Sequence, residues 1–141
     1  MNIYIGSDHA GYDLKEQIKQ HFTNGFEWID LGTDSTASVD YPNFAHPVAQ
    51  AVAESTDNIV ILICGTGNGM AMTANKHQNI RAALCWSKEI AALARQHNNA
   101  NILVLPARFI PAETAFEMIE TFLSTPFEGG RHLNRVNKIN L

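Results

Sequence analysis

The chain is 141 residues long, with 45% hydrophobic and 17% charged residues and a net charge of −4. This balance predicts one globular domain over 1–141 that buries a core, and the acidic charge argues against general affinity for nucleic acid. No apolar run approaches the roughly 18 residues of a membrane span, and the N-terminus lacks a signal-peptide pattern, so we expect a cytoplasmic protein with no membrane partner.

Short apolar runs that alternate with helical patterns organise the chain from its first residues. Strands are predicted at 2–6, 26–31, 59–63, 81–86 and 101–105. Apolar residues at helical spacing predict helices with the inward positions Leu14, Ile18 and Phe22; Phe44, Val48 and Val52; Ile90, Leu93, Ala94 and His97; and Phe116, Ile119 and Leu123. Ser87 is a predicted N-cap, and Pro111 opens a helix that runs to about Thr125. The segment 126–141 is expected to form a basic tail or a short helix.

Five mostly apolar strands that alternate with helices indicate an α/β fold, in which a parallel sheet is covered by helices on both faces. In such sheets, ligands bind outside the carboxyl ends of the strands. Asp8 and His9 follow the first predicted strand, Cys64 ends the third, and Arg108 follows the fifth. We therefore expect these three segments to meet in one cleft.

The glycine-rich segment that begins at Cys64, CGTGNGMAMTA, is the strongest candidate for a site. Gly65, Gly67 and Gly69 allow a tight turn in which the first N–H groups of the next helix face a ligand, and this suits an anion. Cys64 would share that positive end, which favours its thiolate. The motif is not the G-x-G-x-x-G dinucleotide fingerprint. Two structural alternatives stay open, an ordinary strand-to-helix turn and a buried, inert cysteine.

Two further groups are candidates for acid–base chemistry and anion binding. His97 falls at the end of a predicted helix, where the C-terminal dipole favours a protonated ring. Arg131 and Arg135 have i, i+4 spacing, so one helical face would offer two guanidinium groups to a phosphate. A solvated helix-end histidine and a solvated basic tail are the structural alternatives. Cys85, inside an apolar strand, is assigned to the core, and the six histidines show no recognised metal-ligand spacing, so no metal site is expected.

The chain resembles the sugar-phosphate isomerase family of ribose-5-phosphate isomerase B, which also includes the galactose-6-phosphate isomerase subunits. The resemblance rests on ordered segments that cover nearly the whole chain: SDHAGYDLK, DLGT, DYPNFA, ILICGTGNGM, ANK, IRAALC, ARQHNNANIL and EGGRHLNRV. It implies a three-layer α/β/α Rossmann-like subunit and a homodimer or tetramer with active sites at the subunit interface. It also implies a sugar-phosphate substrate, with no metal, nucleotide or other cofactor.

The resemblance further implies the reversible interconversion of ribose 5-phosphate and ribulose 5-phosphate through a cis-enediolate. Ring opening falls to His97, helped by Asp8. Cys64 is the base that moves the proton between C2 and C1, because the glutamate that serves in a second branch of the family is replaced here by Met70. Thr66 hydrogen-bonds the reacting oxygens. The enediolate is stabilised by the backbone N–H groups of Gly65, Thr66, Gly67, Asn68 and Gly69.

By the same resemblance, the substrate-binding side chains come from distant parts of the chain. They are His9, Tyr41, Asn98, Arg108, Arg131 and Arg135. Asn98 contacts the sugar, Tyr41 lines the pocket, and the other four bind the phosphate. We expect His97, Asn98 and Arg108 to come from the neighbouring subunit. Three alternatives stay open: a six-carbon substrate such as galactose 6-phosphate or allose 6-phosphate, a non-catalytic sugar-phosphate sensor, and a nucleotide-binding module.

Overall fold

The structure, a computed structural model, describes residues 2–55 and 57–141. Within these ranges, five strands form one parallel sheet in the order β2-β1-β3-β5-β4. The strands are β1 (Asn2–Ser7), β2 (Glu27–Asp30), β3 (Ile59–Cys64), β4 (Ala82–Leu84) and β5 (Ile102–Pro106). Helices cover both faces of this sheet, which confirms the predicted three-layer α/β/α architecture.

Within the described ranges, each of the five strands is followed along the chain by one α-helix, and a sixth α-helix follows the fifth. They are α1 (Tyr12–His21), α2 (Pro42–Ala53), α3 (Asn68–Ala74), α4 (Lys88–Asn98), α5 (Ala112–Ser124) and α6 (Arg131–Asn137). Helices α1, α4 and α5 pack on one face of the sheet, and α2 and α3 pack on the other. None of these helices has both the length and the apolar character needed to cross a membrane.

Alternation along β3 sends its side chains into two separate cores. Ile61 and Ile63 join the cluster beneath α1, α4 and α5, whereas Val60, Leu62 and Cys64 join the cluster beneath α2 and α3. Because both faces of this central strand are covered, its sequence is a continuous apolar run. Cys64 therefore lies on the α2 and α3 side, at the carboxyl edge of the sheet.

The fourth strand is shorter than the sequence predicts. It spans Ala82–Leu84 and not 81–86, and it lies at the edge of the sheet. At its start, the N–H of Arg81 donates to the side-chain oxygen of Asn101 at 2.7 Å. The N–H of Ala82 donates to Asn75 Oδ1 at 2.8 Å. Side-chain amides thus replace part of the strand ladder, which a hydropathy pattern cannot reveal.

One inward position predicted for α4 is wrong. Leu93 is 42% exposed, whereas the buried residues of the helix are Ala91 and Ala94. Small alanine side chains let α4 lie close to the sheet and to α5, and this turns Leu93 outward. The predicted N-cap of the helix is confirmed, since Ser87 Oγ accepts a hydrogen bond from the Ile90 N–H at 3.4 Å.

A buried lysine fixes the loop that follows β2. Lys15 on α1 is 1% exposed, and its Nζ donates to Asp30 Oδ2 at 2.7 Å and to the Thr33 carbonyl at 2.6 Å. Burial alone would raise the pKa of Asp30, but hydrogen bonds from Lys15 and Lys19 outweigh it and the pKa is lowered. The ion pair anchors the start of the β2–α2 loop. Residues 39–41 of this loop line a cleft beside Asp8 and His9.

Candidate active site

The loop after β3 is built around Cys64. Its buried sulfur accepts a hydrogen bond from the Gly67 N–H at 3.1 Å, a contact that is stronger to a thiolate than to a thiol. Gly67 has a φ of +80°, and a Cβ at this position would collide with the Leu84 side chain. Glycine is therefore required here, and it turns the chain directly from β3 into α3.

Two of the five N–H groups in the loop 65–69 stabilise the loop itself. The Gly67 N–H donates a hydrogen bond to the Cys64 sulfur, and the Asn68 N–H donates one to Thr66 Oγ1 at 3.2 Å. The N–H groups of the other three residues are therefore the candidates for an oxyanion, fewer than the five that the resemblance implies. The hydroxyl of Thr66 acts as an acceptor within the loop, so its hydrogen can still be donated to a ligand.

The glycines of the loop allow Arg108 and Tyr41 to lie against it. A Cβ on Gly65 would lie 3.1 Å from Arg108 Nη1, and a Cβ on Gly69 would lie 2.7 Å from the Tyr41 ring. The Arg108 N–H also donates to the Gly65 carbonyl at 3.0 Å. Arg108 thus belongs to the same cleft as Cys64 of its own chain. The sequence-based expectation that it would join His97 from a neighbouring subunit is corrected.

Asp8 and His9 lie at the same edge of the sheet, after β1. Asp8 is buried, and its Oδ1 caps the short 3-10 turn that follows, with N–H donors at 3.0 and 3.2 Å. His9 Nδ1 accepts a hydrogen bond from the Val39 N–H at 3.1 Å, which leaves Nε2 as the protonated nitrogen of the neutral ring. A cleft of about 400 Å³ opens between these two residues and the segment 39–43.

His97 and Asn98 lie in a second cleft, together with Arg131 and Arg135. This cleft of about 450 Å³ lies between the end of α4 and the face of α6. The His97 ring stacks on that of His132, with centroids 4.3 Å apart and planes 13° apart. His132 was not predicted as a site residue. Its position next to Arg131, on a helix turn that carries both arginines, is the signal that could have identified it.

The two clefts lie at opposite edges of the sheet. The chain passes from α4 into the first residue of β5, Ile102, whereas Cys64 pairs with Pro106, the last residue of that strand. With a rise of about 3.3 Å per residue, these edges are roughly 13 Å apart. Within one chain, His97 and Cys64 therefore lie at different edges of the sheet, although the family resemblance implies that both act in one reaction.

His97, Glu128 and His132 are the one group of three metal-type ligands within residues 2–55 and 57–141, and their ligand atoms lie within 4.8 Å of one another. Two features argue against a cation there. The two imidazole rings are nearly parallel, so their nitrogen lone pairs do not converge on one point. The two arginines of α6 also line this cleft and would repel a cation; burial and these charges lower the pKa of His132, whereas Glu128 raises it. This environment suits an anion better than a metal ion.

Cys85 contributes to neither cleft. It is fully buried in the core beneath α1, α4 and α5. Burial raises the pKa of its thiol to about 12, so the group stays protonated at neutral pH. Its predicted assignment to the core is confirmed.

Comparisons with known proteins agree over nearly the full chain. The family model described as Ribose/Galactose Isomerase matches residues 3–139. A protein of Mycoplasma genitalium named probable ribose-5-phosphate isomerase B is 48% identical, covering 98% of this chain and 93% of that protein. The ribose-5-phosphate isomerase B of Escherichia coli K12 is 44% identical, covering 97% of this chain and 93% of that protein.

Solved structures show the same similarity. The crystal structure of a ribose 5-phosphate isomerase from Thermotoga maritima superposes with a TM-score of 0.95 at 53% identity, covering 99% of this chain and 97% of that one. The Mycoplasma genitalium structure with bound ribulose-5-phosphate gives a TM-score of 0.93 at 48% identity, covering 98% of this chain and 93% of that one. The chain belongs to the ribose/galactose isomerase family.

Proposed function

We propose that the chain is an aldose–ketose isomerase that interconverts ribose 5-phosphate and ribulose 5-phosphate. The observation that carries this proposal is the placement of Cys64, whose sulfur bonds the Gly67 N–H beside further loop N–H groups and Arg108. A base next to oxyanion donors and a cation for phosphate is the arrangement that moves a proton between neighbouring carbons. Relatives named for this activity, one of them with ribulose-5-phosphate bound, support the substrate.

The proton transfer uses the Cys64 cleft. The thiolate of Cys64 takes the proton from C2 of the open-chain aldose, and the electron pair of that bond forms the C1–C2 double bond of a cis-enediolate with its charge on O1. Loop N–H groups stabilise this charge by roughly 3 kcal/mol per donor. The thiol then returns its proton to C1. The O2 proton moves to O1 with help from the Thr66 hydroxyl, and the carbonyl is left at C2.

Ring opening needs groups from the second cleft. His97 donates a proton to the ring oxygen, Asp8 accepts the proton of the C1 hydroxyl, and Asn98 contacts the sugar. Because the clefts lie at opposite edges of the sheet, which are roughly 13 Å apart along β5, we infer a homodimer in which the second cleft of one subunit faces the Cys64 cleft of the other. The phosphate is then held between His9 and Arg108 of one subunit and the arginines of α6 of its partner.

The surface supports this association. Met72, Trp86 and Phe109 are 68%, 59% and 73% exposed, and a partner subunit that covered them would remove this apolar area from water. The buried free cysteines, Cys64 and Cys85, fit the cytoplasmic location predicted from the sequence, where thiols stay reduced.

Ketose formation by the purified protein tests the proposed function. Ribose 5-phosphate, galactose 6-phosphate and allose 6-phosphate are compared at equal concentration, each with EDTA present. We expect rapid turnover of ribose 5-phosphate and little of either hexose phosphate. A preference for a hexose phosphate would support the proposed isomerase reaction but contradict ribose 5-phosphate as its substrate. No turnover of any of the three would contradict the proposal and favour a sugar-phosphate sensor.

A further inference from the structure

A network of arginine and asparagine side chains holds the end of α4. Asn99, the C-cap, has a left-handed conformation with φ +47°. Its carbonyl accepts a hydrogen bond from Arg81 Nε at 2.7 Å, and its Oδ1 accepts one from Arg95 Nη1 at 3.2 Å. Cationic side chains bonded to the last carbonyls of a helix stabilise that end. They thereby fix the turn that carries His97 and Asn98.

Asn79, in the loop between α3 and β4, belongs to the same network. It is also left-handed, with φ +65°, a conformation that asparagine tolerates better than most residues. Its carbonyl accepts from Asn101 Nδ2 at 2.8 Å, and more weakly from Arg81 Nη1 at 3.4 Å. The N–H of Arg81 donates in turn to Asn101 Oδ1 at 2.7 Å. This loop is therefore tied to the end of α4 through side chains.

The segment that follows α6 is joined to the network by one reciprocal pair. The Asn79 N–H donates to Asn140 Oδ1 at 3.0 Å, and Asn140 Nδ2 donates to Asn79 Oδ1 at 2.7 Å. Asn140 stands three residues after α6, and turn hydrogen bonds from Lys138 to Arg135 and from Ile139 to Val136 connect it to that helix. A movement of Asn140 is thus transmitted to the last turn of α6.

We propose that Asn79 and Asn140 are positioning residues that hold α6 against the end of α4. Their paired amides set Arg131 and Arg135 in register with His97, and so preorganise the second cleft for the phosphate of the substrate. The phosphate role of these arginines rests on the proposed function. The pair itself touches no reacting atom, and it acts only through the placement of α6.

A purely structural contact would show itself in stability, and Asn140 is a poor candidate for that role. It is exposed, so its loss removes two hydrogen bonds at the surface and leaves the buried core intact. The effect of the pair should therefore appear in substrate affinity and not in the thermal midpoint.

Steady-state kinetics of Asn140→Ala with ribose 5-phosphate tests the proposal. We expect KM to rise about three- to ten-fold, the range that corresponds to one lost hydrogen-bonding pair, with kcat within about two-fold of wild type. The matched control is Asn137→Ala at the end of α6, since Asn137 is exposed and makes no side-chain hydrogen bond with residues 2–55 or 57–141. This control should leave KM unchanged.

A double-mutant cycle shows whether the effect passes through the pair. Asn79→Gly keeps the left-handed backbone and removes the side chain. If the two amides act together, Asn79→Gly with Asn140→Ala raises KM no further than Asn140→Ala alone. Three results would overturn the positioning role. They are additive effects of the two substitutions on KM, an unchanged KM in Asn140→Ala, and a rise in the KM of Asn137→Ala equal to that of Asn140→Ala. A wild-type protein without isomerase activity would instead overturn the proposed function.

Discussion

Cys64 and Cys85 are two buried thiols that the fold places in different chemical environments. Burial raises the pKa of Cys85 to about 12, and that side chain lies in the apolar core beneath α1, α4 and α5. The sulfur of Cys64 instead accepts a hydrogen bond from the Gly67 N–H at 3.1 Å. This sulfur lies at the start of the glycine loop, against which Arg108 packs. Both cysteines lie at the carboxyl end of a strand, so the N–H donor of the loop around Cys64, and not residue type or strand position, decides which thiol can act as a base.

Substitution of the two cysteines separates these roles. Cys64→Ala should lower kcat for ribose 5-phosphate by roughly 100- to 10,000-fold, the usual contribution of a general base. Stabilisation by ribulose 5-phosphate in a thermal melt should stay close to that of wild type, because the phosphate contacts are untouched. Cys85→Ala, the control, should cost some stability and keep kcat. Turnover that survives in Cys64→Ala would reject the assignment of the base.

His97 is expected to act before proton transfer, on the closed ring. His97→Asn should therefore lose most activity on ribose 5-phosphate, by roughly 100-fold or more. Erythrose 4-phosphate cannot close a furanose ring because its O4 carries the phosphate, so the variant should keep most of the wild-type rate on it. Rates on the two aldoses, each divided by the wild-type rate, give the comparison. An equal loss on both substrates would remove His97 from ring opening.

At the scale of elements, the β3–α3 connection depends on the backbone of Gly67. Its φ of +80° is shared by Gly25, where an added Cβ would meet nothing within 4 Å. Alanine at either position should cost about 1–2 kcal/mol of stability for the left-handed backbone. Gly67→Ala should also lower kcat strongly, since its Cβ would collide with Leu84 and displace the N–H that bonds Cys64.

The comparison of Gly67→Ala with Gly25→Ala is made by chemical denaturation and by initial rates. Gly25 lies between α1 and β2, away from both clefts. We expect Gly25→Ala to lose stability with normal turnover. Normal turnover in Gly67→Ala as well would show that the geometry of this loop is not needed for catalysis.

The sequence predicts most elements because their signals are local. Continuous apolar runs mark strands covered on both faces, and the serine before α4 caps it as expected. Two local predictions are wrong for reasons that lie elsewhere in the chain. The start of β4 is set by the side chains of Asn75 and Asn101, and the outward turn of Leu93 follows from close packing of α4 through its alanines.

The cleft around Cys64 could be anticipated because parallel strands end at one edge, which places Asp8 and Arg108 beside it. The separation of His97 could not be recognised from its motif alone. It follows from the direction of α4, which runs back across the sheet and ends beside the start of β5. The pairing of Asn79 with Asn140 joins positions 61 residues apart, and no periodicity in the sequence signals such a contact.

At the scale of the whole molecule, each chain carries two clefts at opposite edges of one sheet, and the proposed function makes each of them half of a site. At the first edge, the cleft of Asp8 and His9 adjoins the glycine loop after Cys64 through Tyr41, and Arg108 lies against the same loop. The second edge holds His97 with the arginines of α6. The proposed reaction needs both halves within contact of one sugar phosphate. A two-fold dimer brings different surfaces of two identical chains together, so it can complete two such sites at once.

A mixed dimer tests this account most directly. One subunit carries Cys64→Ala and the other carries His97→Asn, with two different affinity tags so that only the mixed dimer is purified after co-expression. One of its two sites then lacks both groups, and the other is intact. We predict about half of the wild-type activity on ribose 5-phosphate, while each homodimeric variant is nearly inactive. Activity no higher than that of the homodimeric variants would contradict a site shared between subunits.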